Sequence, residues 1–158
     1  MDKHFLYTKV EKLDNLGPGE WIDEPDAVHF EYKGVKCRIL RGLRGGHLCG
    51  YIQVAKNHPW YDMDFLKSEI ECHGGLTYAE HEDGGFWIGF DCAHYGDYMP
   101  AMEKNINVYS SFKSDNPELF NQYPECSIWH PTYKNVEYCI AECEALVEKY
   151  LEAVEEKK

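Results

Sequence analysis

Histidines and aspartates crowd into two short blocks of this 158-residue chain, Cys72-His73-Gly74-Gly75-Leu76-Thr77-Tyr78 and Gly89-Phe90-Asp91-Cys92-Ala93-His94-Tyr95-Gly96-Asp97. Imidazole and carboxylate are ligands that borderline divalent metals prefer, so His73, Asp91, His94 and Asp97 form a candidate set for zinc, manganese or iron. His94 and Asp97 reach a single ion if Tyr95-Gly96 turns the chain back at a strand end. An open position on zinc brings the pKa of a bound water to about 7 and supplies a hydrolytic nucleophile at neutral pH. The same groups have a plainer use: His73 and His94 can bond backbone carbonyls, while Asp91 and Asp97 cap turns. Cys92 is a further candidate, as a nucleophile activated by His73 or His94. The candidate catalytic set is therefore His73, Asp91, Cys92 and His94.

An anionic ligand has two kinds of partner available. Gly74-Gly75 permits a backbone conformation that turns N–H groups towards an anion or oxyanion, with a plain β-bulge as the alternative. Arg41-Gly42-Leu43-Arg44-Gly45-Gly46 sets two guanidinium forks on a glycine-rich loop. With Thr77 and Tyr78, these make a candidate binding set of Arg41, Arg44, Gly74, Gly75, Thr77 and Tyr78. The net charge of −12 disfavours general nucleic-acid binding, which needs a basic footprint. Yet no Asp or Glu occurs from Tyr32 to Tyr61, where Lys33, Lys36, Arg38, Arg41, Arg44 and Lys56 stand. Such a positive island focuses a small anion, or else pairs with carboxylates from elsewhere in the chain.

These groups need a frame. Ala27 to Tyr32 and Val35 to Leu40 are rich in β-formers and flank Lys33-Gly34, which predicts a β-hairpin. Leu48 to Ala55 reads as a strand ended by Asn57-His58-Pro59, and Ile70 to Tyr78 as a strand interrupted at Gly74-Gly75. Glu82-Asp83-Gly84-Gly85 is a turn, and Phe86 to Ala93 alternates with Phe86, Ile88, Phe90 and Cys92 on one face. That face is the predicted core, a place where a thiol is inert. From Val136 to Val154, apolar residues recur at three- and four-residue steps, predicting a helix over 132–156 that starts at Pro131-Thr132 or Asn135. The expected fold is α+β, a mainly antiparallel sheet with a long C-terminal helix packed on one face. It is read as a single domain over 1–158, with an N-terminal element (1–19), a sheet region (27–97) and an irregular stretch (98–131).

Seven cysteines, an odd number, without an export signal read as reduced thiols in a cytoplasmic protein. Cys139 and Cys143 fall in the helix's apolar stripe, and Cys37, Cys49 and Cys126 lack structural-zinc spacing. No basic-then-apolar leader and no membrane-length apolar run is visible, so the chain is expected to start near Met1. Trp60, Tyr61, Tyr78, Trp87, Tyr95, Tyr98, Trp129 and Tyr133 surround the polar blocks, as pocket walls, interface anchors or ordinary core. No Walker loop, dinucleotide fingerprint, Gly-x-Ser-x-Gly elbow or His-Glu-x-x-His sequence occurs.

Across roughly residues 46 to 100, the order of Gly46-His47-Leu48-Cys49-Gly50-Tyr51, His58-Pro59 and the two His/Asp blocks resembles a family of small bacteriophage and mobile-element proteins. The resemblance implies an accessory protein acting inside a bacterial cell, with countering host defence as an expected role. It carries no activity, substrate or catalytic assignment. Three functions follow. One is a metal-assisted hydrolase of an anionic small molecule, using zinc or manganese. Another is a non-catalytic acidic binder, either an inhibitor of a host protein or a sponge for a nucleotide-like signal. The third is an assembly protein.

Overall fold

The computed structural model describes residues 6–8, 19–42, 45–101 and 131–157. The strands are β1 (Leu6–Thr8), β2 (Ala27–Tyr32), β3 (Val35–Arg41), β4 (Leu48–Val54), β5 (Tyr78–Glu82) and β6 (Gly85–Asp91), and the C-terminal helix is α1 (Val136–Lys157). All strand pairs are antiparallel, in the order β1-β2-β3-β4-β6-β5. The architecture is the expected α+β sheet covered by one helix.

Two tight turns set the register. Lys33 and Gly34 have φ of 49° and 81°, and Asp83 and Gly84 have φ of 50° and 77°. Successive left-handed residues twist a hairpin in the sense its strands require. The β2–β3 pairing then aligns Val28 with Ile39 and Phe30 with Cys37, placing their side chains on one face. The row continues through Gly50 on β4 to Phe90 on β6. A Cβ on Gly50 would lie 2.5 Å from the Phe90 ring and 2.9 Å from Cys143 Sγ, so this glycine lets sheet and helix approach.

The helix buries Cys139, Cys143, Leu146, Val147 and Tyr150, the stripe that its periodicity predicts. Full burial of side chains such as Leu146 or Val147 is worth about 1.5–3 kcal/mol each. The helix begins at Val136, the later of the two expected starts rather than at 132, because Asn135 caps it: its Oδ1 accepts from Tyr138 N at 2.8 Å. Glu24 Oε2 accepts from Val136 N at 2.7 Å, so a carboxylate from before β2 completes the cap.

One expected strand is absent. Ile70 to Tyr78 does not run as an interrupted strand, since Gly74 and Gly75 both take left-handed φ, 67° and 80°, and turn the chain. Gly75 N closes that turn on Cys72 O at 2.9 Å, and β5 starts only at Tyr78. Trp87 alternates away from α1 as expected, but it is buried all the same, beneath the Arg38 guanidinium 4.2 Å from its ring. The irregular stretch expected at 98–131 lies outside the described residues from 102 to 130, as do Cys126 and Trp129.

Candidate metal centre

Three segments meet beyond the end of β6. The first leaves the strand at Asp91, whose Oδ1 accepts from Ala93 N at 3.1 Å and bends the chain outward. His94 to Asp97 then forms a turn, with Asp97 N donating to His94 O at 2.9 Å and His94 N to Asp97 Oδ2 at 3.0 Å. Thr132 pins that turn: Thr132 N donates to Gly96 O and Tyr98 N to Thr132 O, each at 2.9 Å. The second segment is the Cys72–Gly75 turn, carrying His73. The third is the start of α1, carrying Lys134 and Tyr138.

The carboxylate of Asp97, 2% exposed, is the centre of the arrangement. His73 Nε2 lies 2.8 Å from its Oδ2 and 3.0 Å from its Oδ1. His94 Nδ1 lies 3.3 Å from Oδ2, and Lys134 Nζ 3.1 Å from Oδ1. Burial opposes ionisation of Asp97, but the hydrogen bonds from His73, from His94 N and from Lys134 outweigh it and hold the carboxyl below its usual range. His73, His94 and Asp97 each offer a ligand atom within 4.8 Å of the others. Two of the atoms left over are engaged from outside. Tyr138 hydroxyl lies 2.7 Å from His73 Nδ1, and Lys134 holds Asp97 Oδ1. Burial, then Glu142, pushes the Tyr138 phenol up to about 12, so it stays protonated.

Gly74 is needed here for space as well as for its φ. A Cβ would stand 2.2 Å from His94 Cε1 and 2.5 Å from Nε2, so the His94 ring rests on the bare glycine. The His94 side chain is 38% exposed, which leaves one side of the cluster open to solvent.

The other expected residues fall differently. Asp91 adjoins the cluster, with Oδ1 3.7 Å from His94 Nδ1, but is outside the three-residue group. Cys92 is buried with its sulfur 3.8 Å from Cys139 Sγ. That thiol contact, then burial, raises its pKa, and the group is packed as core rather than as a nucleophile. Arg41 does not present its fork to a ligand. It is buried, donating Nε to Asp26 at 2.5 Å, Nη1 to Gly46 O at 2.8 Å and Tyr133 at 2.9 Å, and Nη2 to Pro25 O at 3.2 Å. Arg38 likewise pairs with Asp83 at 2.9 Å and Glu82 at 3.1 Å, so acids from outside the basic window neutralise it. Arg44 lies outside the described residues. Gly75 has open space where a Cβ would stand, and Thr77 N donates to Gly89 O at 2.9 Å. Tyr78 is on the sheet face turned away from α1, its hydroxyl bonded to Glu82 and its ring edge-on to Tyr51 at 5.1 Å.

Lys134 and Tyr138 went unnoticed in the sequence because no local spacing links them to the His/Asp blocks. The one available signal was Asn135, whose capping role sets the first helical turn near them. His47 was quoted only within a strand motif. Its ring is wedged where a Cβ on Gly42 would come within 2.8 Å, and its buried Nδ1 makes no hydrogen bond among the described residues. Burial lowers its pKa, against the opposing pull of Asp91 and Asp97.

Compared with family models, curated proteins and solved structures, the chain matches none. No helix among the described residues is long and apolar enough to cross a membrane.

Proposed function

We propose that His73 Nε2, His94 Nδ1 and Asp97 Oδ2 bind one divalent metal, zinc or manganese, and that the chain is a metal-assisted hydrolase of a small molecule. One observation carries this reading: the three donors converge while the outward atoms of two of them are already held, Nδ1 of His73 by Tyr138 and Oδ1 of Asp97 by Lys134. Ligands braced in this way are characteristic of metal sites, where the outer contacts fix ring orientation and ligand basicity. Two imidazoles and one carboxylate leave room for water or substrate, and zinc held so lowers the pKa of bound water to about 7. The exposed edge of His94 gives that position access to solvent. Asp91 stands beside it as the proton-accepting carboxylate. Arg41 lends no support to an anionic substrate, because its donors are spent inside the protein.

The test is metal content per chain, by elemental mass spectrometry on protein purified without chelator, beside His94→Ala and His73→Gln. Near-stoichiometric metal that both variants lose while remaining folded supports the site. A folded wild type that takes up neither zinc nor manganese on dialysis refutes it.

A further inference from the structure

A cleft of about 750 Å³ separates β1 and the Glu20–Asp23 turn from the first two turns of α1. Its apolar lining includes Tyr7, Val136 and Ile140, and its acidic lining includes Glu20, Asp23 and Glu137. Among the described residues, no lysine or arginine lines it. The carboxylates of Glu20, Asp23 and Glu137 make no hydrogen bond or ion pair among the described residues, although all three are exposed. This distinguishes them from Glu24 in the same cleft, which serves Val136 N and the Tyr133 hydroxyl, and from Glu82, Asp83 and Asp26, which answer arginines. The positive end of α1 is already met by Asn135 and Glu24. Three negative charges therefore stand without a counter-charge among the described residues, around an apolar surface.

We propose that this cleft docks a basic, apolar-anchored segment of a partner protein. Lysine and arginine side chains suit both halves of the lining, since their aliphatic stems cover apolar surface while their heads reach carboxylates. Unmatched charge of one sign steers association and rejects partners of the same sign, so acidic segments and polyanions are excluded. This docking is independent of the metal site.

The probe is a fluorescent decapeptide of alternating arginine and leucine, followed by anisotropy at physiological ionic strength, with a glutamate–leucine peptide as control. Wild type binds the first and not the second. The triple variant Glu20→Lys, Asp23→Lys, Glu137→Lys weakens binding by about tenfold or more, whereas Glu31→Lys, Glu80→Lys, Glu152→Lys, with the same change in net charge, alters it less than about twofold. Equal weakening by the two triple variants, or no binding by wild type, overturns the proposal. Should the cleft variant fail to fold, amide shifts in wild type decide: changes centred on Tyr7, Asp23 and the 136–140 turn support the cleft, and changes centred elsewhere refute it.

Discussion

The ring of His73 faces Asp97 almost symmetrically, with Nε2 2.8 Å from one carboxylate oxygen and 3.0 Å from the other. A single proton or a single cation on that line satisfies both residues. Which of the two is present depends on the far side of the ring, where Tyr138 meets Nδ1 at 2.7 Å. Removing that hydroxyl in Tyr138→Phe loosens the imidazole without touching a ligand. Metal affinity is expected to fall about 10- to 100-fold, the usual effect of losing an outer partner. Competition against a chromophoric chelator measures it, and an unchanged affinity would detach Tyr138 from the site.

Gly74 and Gly75 separate two effects that usually come together. Both have left-handed φ, but only at Gly74 does a Cβ collide with His94. Gly75→Ala should cost about 1–2 kcal/mol of backbone strain and keep the metal. Gly74→Ala should cost more and lose it, because His94 must leave its place. Urea titration with metal analysis of both variants checks the contrast; equal metal retention would contradict it.

Acid should weaken the fold partly through His47. Burial holds its folded pKa below the ordinary value, which an unfolded chain keeps at about 6.5. As pH falls through that value the unfolded state gains a proton that the folded state does not take, so stability declines across the window and levels off below the folded pKa. His47→Gln removes this component. Urea midpoints at pH about 7.5 and about 5.5 should therefore drop further for wild type than for the variant, and parallel drops would exclude the effect.

Asp26 is the buried counter-charge of Arg41, at 2.5 Å. Asp26→Ala removes the nearer of the two carboxylates at the buried guanidinium, leaving Glu24 at 3.8 Å, and should destabilise by up to about 3–5 kcal/mol. Denaturant unfolding gives the value; a loss under about 1 kcal/mol would mean that Glu24, Tyr133, Gly46 and Pro25 satisfy the arginine without Asp26.

Most of the frame was legible because it obeys local rules. Alternation on Phe86, Ile88 and Phe90, glycine in the two hairpin turns, and the stripe from Cys139 to Tyr150 each depend on neighbours close in sequence. The site was legible in half. His73, His94 and Asp97 share two blocks that sequence alone picks out, whereas Lys134 and Tyr138 join them only through the docking of α1. The arginine loop misled for a related reason: the partner that neutralises Arg41 lies fifteen residues away, on Asp26, beyond the window in which charge was counted.

Because α1 follows all six strands and carries Tyr138, the order of synthesis would bear on loading of the proposed metal site. The hairpins β2–β3 and β5–β6 contain only short-range pairings and can close while the chain is still emerging from the ribosome. By then His73, His94 and Asp97 have been made, but the braces supplied by Lys134 and Tyr138 have not. A nascent chain stalled before residue 134 would expose bare imidazoles to whichever ion is abundant, and any selectivity of the proposed site would be acquired only once the helix has been made and docks.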